Sequence, residues 1–355
     1  MREYTCGSAG TEWQDSPGIG NTEQMEGWKK IVDAVHEGWR IFCQIMHSDR
    51  ACISSRRATT QIASGEVRKT HQTVESYLLR FPACVGPIGR PCRRGKFRFI
   101  PGVPGYAMPT EIPDPWKMVE LFRIAALHAK EAGFDGVEGV LDLRLSTMNP
   151  GRRSSLRTQC TVRAGIYHPI PGSQRQQTHG RVGRQPRNRA RSLLEILKAV
   201  RKIWGPNVGF KINPAGGYTD VGFPLEETIT SFGYLLSEVD KLGLAYVCIL
   251  RYLDLFDPAK RGTPHDVWEI YAPYLKNTPL IPNGGITPEQ ALEWVESGKF
   301  PAVSIGIPWM SHPDLGRRIR AGKPLDNKLD GPHVYGGAFE PSIGYLDYPR
   351  QHTID

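Results

Sequence analysis

The chain has 355 residues, 39% of them apolar, enough for one large α/β domain or two ordinary ones with a sizeable core. It contains no apolar run of about 18 residues, and its opening stretch MREYTCGSAGTEWQDS has no apolar segment of signal type, so neither a membrane span nor a secretion signal is expected. The net charge of +9 points to a nucleic-acid partner until it is located: residues 143–194 hold eleven arginines and no Lys, Asp or Glu, so the rest of the chain is slightly acidic.

Seven cysteines, odd in number and without a CxxC pair, argue against a disulfide framework and a zinc site and make a reducing, cytoplasmic setting the expectation. The first predicted element is the helix NTEQMEGWKKIVDAVHEG, with Asn21 as N-cap, Gln24 at the reciprocal capping position, and Met25, Trp28, Ile31, Val32 and Val35 on one face. The strand WRIFCQIM follows. The next helix, DPWKMVELFRIAALHAKEAG, has Asp114 as cap and Pro115 in its first turn, stops at Gly133, and leads to the strand FDGVEGVL. Beyond it come a helix from about Asn188 to Trp204 and the strand VGFKINP, then a helix from Leu225 to Leu242 and the strand AYVCIL. A helix near His265 to Leu275 leads to PLIPNGG, the helix PEQALEWVESG leads to AVSIGI, and a last helix begins near Pro313.

This alternation is the signature of a parallel sheet with helices outside. It yields six barrel-type strands, two fewer than a closed (β/α)8 barrel needs, with the shortage at the N-terminus. The expected fold is therefore a single, incomplete (β/α)8 barrel domain over residues 1–355. Residues 47–100 and 143–187 show no clear period and are expected to be irregular segments within it.

In such a barrel the chemistry lies at the C-terminal ends of the strands. Those ends offer, in order, Gln44 and His47, then Lys211 and Asn213 with Gly216 and Gly217 beyond. Arg251 and Tyr252 follow, then Gly284 and Gly285 before Thr287 and Pro288, then Gly306 before a helix start at His312 to Leu315. Glycines after two consecutive late strands, each ahead of a helix N-terminus, fit a phosphate cradle of backbone N–H groups; a tight turn is the alternative for either one alone. Lys211 fits a cation beside an electron-rich ring or an ion pair inside the barrel. His47 fits an ordinary polar residue better than a catalyst, and Arg251–Tyr252 fits packing as well as function.

Taken together, these stretches resemble the Old Yellow Enzyme family of FMN-dependent ene reductases. The resemblance is carried by PGIGNTEQMEGWKKIVDAVHEGWRIFCQIMH, AALHAKEAGFDGVE, NRARSLLEILKAVRKIWGPNVGFKINP, PNGGIT, SIGIPWMSHPDLGRRIRAGKPL and GYLDYP, over more than half of the chain. Within the family, KINPAGGYTD, FCQ, PWMSHPDL and GYLDYP look most like the fungal ergot-alkaloid branch, the chanoclavine aldehyde reductases. The resemblance implies FMN as cofactor, NADPH as its reductant, and a small α,β-unsaturated aldehyde as substrate. It implies that Gln44 and Lys211 contact the flavin, and that Gly284, Gly285, Gly306 and Ile307 line its phosphate. Ile307 stands where the family often carries an arginine.

The departures are as informative. After GFDGVE the family places a His/His or His/Asn pair that binds the substrate carbonyl, then a Tyr that supplies a proton. Those positions here are Val140, Leu143 and Leu145, none able to donate a hydrogen bond from its side chain. The match resumes at NRARSLLEI, and loss of resemblance between two intact flanks fits a reading-frame change or a retained intron. Two family strands at the N-terminus are also expected to be missing. The leading expectation is an inactive ene reductase homologue; the alternatives are an active enzyme whose true sequence is restored by splicing, and a nucleic-acid-binding protein using residues 143–194. Against the last, that segment holds one aromatic, Tyr167, and no recognition motif.

Overall fold

The computed structural model describes residues 4–5, 17–46, 115–140, 186–217, 223–257, 260–336 and 342–350. Six strands form one parallel sheet in chain order: β1 (Tyr4–Thr5), β2 (Phe42–Met46), β3 (Gly136–Val140), β4 (Val208–Ile212), β5 (Tyr246–Leu250) and β6 (Leu280–Asn283). A parallel bridge from Asn283 to Ser304 adds a seventh place at the β6 edge. The helices are α1 (Thr22–Val35), α2 (Pro115–Glu131), α3 (Pro186–Trp204), α4 (Leu225–Asp240), α5 (Val267–Tyr271), α6 (Pro288–Glu296), α7 (Ile307–Ser311), α8 (Leu315–Arg320) and α9 (Gly331–Gly336).

Sheet order follows chain order because each strand is followed by a crossover that returns to pair beside it. Side chains of successive residues then alternate between two faces. Cys43, Ile45, Val137, Val208, Phe210, Ile212, Val247, Ile249 and Leu280 point outward, all buried under the helices. The helices answer with Phe122, Ala125 and Ala126 on α2, Leu193, Ile196 and Leu197 on α3, and Leu235 and Leu236 on α4, in one continuous core. Each fully buried Val, Leu, Ile or Phe among them contributes about 1.5–3 kcal/mol. Polar ties between helices are few and specific, such as the Trp204 indole N–H donating to the Ala126 carbonyl at 2.9 Å.

Several sequence expectations need correction. A strand does stand ahead of the first helix: Tyr4 and Thr5 pair with Ile45 and Met46. Two residues are too few to show a period, so the sequence pattern does not reveal this strand. Asn21 caps α1 by accepting from the Gln24 N–H at 2.8 Å, but the Gln24 side chain reaches past Asn21 to accept from Gly20 N–H at 2.8 Å, so the cap is not reciprocal. Ile31, assigned to the buried face, is 46% exposed. The expected helix over 265–275 is a single α-helical turn, Val267–Tyr271, continued as the 3₁₀ turn Ala272–Tyr274, because Pro273 removes a backbone donor. A helix does begin beside Pro313, at Leu315, as expected, and a further short helix, Ile307–Ser311, stands ahead of it, separated by His312 to Asp314. The irregular segments expected over 47–100 and 143–187 lie outside the described residues, apart from Pro186 and Arg187, which begin α3.

No helix among the described residues is long and apolar enough to cross a membrane.

Candidate functional site

The inner face of the strands is polar where the outer face is apolar. Register aligns Gln44 on β2 with Glu138 on β3, Glu138 with Gly209 on β4, and Gly209 with Tyr246 on β5. Gln44 and Glu138 are both buried, and the Gln44 amide N–H donates to the Glu138 carboxylate. The Tyr246 hydroxyl turns to the same carboxylate from across β4. Burial first, then the Glu138 charge and its hydrogen bond, hold the Tyr246 phenol far above its ordinary range. That crossing needs Gly209, because a Cβ there would sit 2.6 Å from the Tyr246 hydroxyl. Gly136 does the same for Phe42, whose ring stacks on Tyr246 with centroids 6.1 Å apart.

One level nearer the mouth, Lys211 on β4 pairs in register with Val140 on one side and Cys248 on the other. Burial and the Glu138 charge push the Cys248 thiol up to about 12, against the opposing effects of Lys211 and a hydrogen bond with Ser304. At the edge, Asn283 donates through its side chain to the Ser304 carbonyl at 2.9 Å and hydroxyl at 3.1 Å. Among the described residues no group of His, Cys, Asp or Glu is arranged to hold a metal.

At the mouth, the loops after β4 and β5 lock together around Asp257, which is fully buried. Its carboxylate accepts from the N–H groups of Arg261 at 2.8 Å and Gly262 at 2.7 Å, and from the Tyr252 hydroxyl at 3.0 Å. Gly217, at φ +88°, passes so close that a Cβ would lie 2.8 Å from that of Asp257. The loop after β4 closes on itself where Asn213 Oδ1 accepts from the Gly216 N–H at 3.2 Å. The Tyr252 phenol is held up at about 12, by burial and by the Asp257 carboxylate that accepts from it.

Arg251 braces the loop after β6: its guanidinium donates to the Gly285 carbonyl at 2.8 Å and lies 5.4 Å from the Trp268 ring centroid. Gly284 and Gly285, at φ +111° and +58°, make the tight turn into α6, where Thr287 and Gln290 form a reciprocal cap and Pro288 opens the first turn. Gly306 is the N-cap of α7, and a Cβ there would meet nothing within 4 Å. Its neighbour Ile307 is exposed.

The fold thus brings Gln44, Val140 and Lys211 onto three adjacent strands, and sets Gly284, Gly285, Gly306 and Ile307 around the β6 edge. His47, Leu143 and Leu145 lie outside the described residues. Sequence reading missed Glu138, Tyr246 and Asp257. Period-two alternation in FDGVEGVL does put Glu138 in phase with Val140, but the strand alone does not say which residue faces it. A groove of about 460 Å³ lined by Arg187, Arg191, Lys198, Tyr234 and Glu238 belongs to the outer layer between α3 and α4 rather than to the mouth. Within the Arg-rich stretch, Arg189 pairs with Glu227 and faces the Phe223 ring at 5.7 Å.

Sequential parallel strands with helices between them, an apolar outer face and a polar inner face with glycine turns at the mouth are the architecture of a (β/α)8 barrel. No family profile matches the chain. It is 31% identical over 341 residues to a Leishmania infantum protein described as "Probable flavin mononucleotide-dependent alkene reductase", covering 94% of this chain and 78% of that one. It is 28% identical over 345 residues to 12-oxophytodienoate reductase 2 of Arabidopsis thaliana, covering 95% of this chain and 78% of that one. Among solved structures, the old yellow enzyme of Trypanosoma cruzi shares the fold at a TM-score of 0.72, with 24% identity over 98% of this chain and 84% of that one. Morphinone reductase does so at 0.69, with 24% identity over 99% and 83%. The chain belongs to the Old Yellow Enzyme family.

The residues present suit the pyrimidine edge and phosphate of FMN in two respects. A buried amide, Gln44 on β2, and an ammonium, Lys211 on β4, flank β3 on the inner face, with the amide oxygen of Gln44 taking no partner among the described residues. The backbone at Gly306 is uncrowded and leads into the Ile307 N–H, although Pro308 has no N–H and the Trp309 N–H is taken by the Gly306 carbonyl at 3.0 Å.

Proposed function

We propose that this chain is an FMN-binding ene reductase homologue in which carbonyl activation is lost. The observation that carries this reading is Val140, the last residue of β3, opposite Lys211. It stands where the family resemblance places the first carbonyl-binding donor, and its isopropyl group donates nothing. Gln44 and Lys211 would hold the flavin ring, and the backbone at Gly284, Gly285, Gly306 and Ile307 its phosphate. FMN, when bound and reduced by NADPH, supplies a hydride to an alkene conjugated to a carbonyl. The chain's own task is to bind that carbonyl and polarise it. One missing donor of this kind costs about 2.7–4 kcal/mol of transition-state stabilisation, and Leu143 is apolar as well.

The substrate class is a small α,β-unsaturated carbonyl compound. The 12-oxophytodienoate reductases among the relatives support it, and the stretches KINPAGGYTD and PWMSHPDL favour a tricyclic enal of ergot-alkaloid type such as chanoclavine aldehyde. The test is restoration. The purified chain should bind FMN and show negligible enal-dependent NADPH oxidation, and the double variant Val140→His, Leu143→Asn should raise that oxidation by at least about 100-fold. A wild-type chain that already turns over the enal at the rate of the restored variant would overturn the reading.

A further inference from the structure

We infer that Glu138 is a positioning residue, held by Tyr246 through the gap at Gly209, that fixes the amide of Gln44 in the one orientation suited to a flavin edge. This rests on the flavin-binding reading above and adds a residue to it. A carboxylate only accepts, so the Gln44 group facing Glu138 must be its NH₂. That choice turns the amide oxygen the other way, where it is an acceptor for a ring N–H. Glutamine amides otherwise exchange oxygen and nitrogen at little steric cost, so one of the two orientations has to be selected by a neighbour.

The selection is built across three strands. Gln44 and Glu138 are register partners 94 residues apart in sequence, and both are buried. Tyr246 reaches the carboxylate only because β4 carries Gly209 beneath its ring. Phe42, lying over Gly136 and stacked on Tyr246, closes the level below. Among the described residues no cation lies within ion-pair distance of Glu138, whose named partners are the amide and the phenol. A carboxylate whose only work was charge balance would sit against Lys211 instead. Two neutral donors on one buried carboxylate form a network in which each member specifies the orientation of the next. An ordered amide presented in advance lowers the entropy a ligand must give up on binding.

The experiment is a double-mutant cycle on FMN affinity, with fluorescence titration of the full-length chain and the visible spectrum of the bound flavin as readouts. Glu138→Gln removes the obligate acceptor with little change of shape and frees the Gln44 amide to flip. It should weaken FMN at least about 10-fold, equivalent to about 1.4 kcal/mol, and shift the flavin absorption band. Gln44→Ala should weaken FMN as well, and the double variant should be no weaker than Gln44→Ala alone. Additive losses would overturn the inference, because Glu138 would then act without Gln44. If Glu138→Gln fails to fold, Tyr246→Phe, which keeps the ring stack, is carried through the same cycle with the same criterion. Wild-type chain that takes up no FMN would overturn the proposed function together with this inference. Wild-type binding with an additive cycle would overturn this inference alone.

Discussion

The two sides of the barrel mouth are held by different means. On the β4–β6 side the loops are tied by buried groups: Asp257 takes three donors, Arg251 braces Gly285, and Asn213 closes Gly216. On the β2–β3 side the strands end at Met46 and Val140, and the polar contacts lie one level down, at Gln44 and Glu138. One side is a scaffold whose carboxylate and guanidinium act on the chain itself. The other keeps a pair of polar groups suited to a ligand and ends in the apolar side chain of Val140. Groups that hold loops should register in stability, and groups that meet a ligand should register in affinity.

That contrast can be broken most forcefully at the C-terminal end. Arg318 is 2% exposed, and its guanidinium donates to Asp314 at 2.9 Å, Asp326 at 2.7 Å and the Pro324 carbonyl at 3.0 Å. Arg318→Ala leaves the buried Asp314 carboxylate without its cation and should cost about 3–5 kcal/mol in urea unfolding. A loss under 1 kcal/mol would mean that this closure contributes little.

Next in size is Asp257→Ala, which strips three donors of their acceptor. It should destabilise the chain by about 2–3 kcal/mol in the same assay. If FMN affinity fell and stability did not, the β4–β5 loops would belong to the ligand rather than to the scaffold.

Asp240 sharpens the contrast through pH. Burial raises its pKa, but the N–H groups of Asn277, Lys276 and Thr278 and the Asn277 side chain outweigh it and leave the carboxyl below its ordinary value. A depressed folded value means that the native state favours the charged form. Its stabilisation is therefore complete above the unfolded carboxyl value and is lost as pH falls through the folded one. Asp240→Asn should flatten the acid limb of the stability–pH curve and leave the neutral plateau lower; an unchanged acid limb would remove Asp240 from the scaffold.

The smallest effect belongs to Gln24→Ala, which leaves the Gly20 N–H without its acceptor. About 0.5–1 kcal/mol is expected from the thermal midpoint, with FMN affinity unmoved.

Much of this was legible beforehand. The period of α1, the short apolar strands and the glycine turns before capped helices are local patterns, and residues such as Trp28, Val137 and Phe210 are buried as those patterns predict. The helix at 265–275 is shorter than its sequence suggests because the apolar spacing continues past Pro273, which ends the ladder of hydrogen bonds. Gln44 and Lys211 were visible as polar residues at strand ends. Glu138 was not, because a lone acid inside an apolar strand has no meaning until its partner is known.

The sequence by itself determined most of the strand and helix segments, because amphipathic periods are carried by neighbouring residues, while the family came from the resemblance of whole motifs to known proteins. Only the tertiary structure decided that Gln44 meets Glu138, that Tyr246 crosses above Gly209 to join them, that Asp257 rather than a ligand occupies the space beside Gly217, and that Tyr4 and Thr5 continue the sheet. Those outcomes depend on strand register across long separations. A shift of one residue would turn each of these side chains to the other face; alternation within a strand selects the face, but it does not say which residue of a distant strand stands opposite.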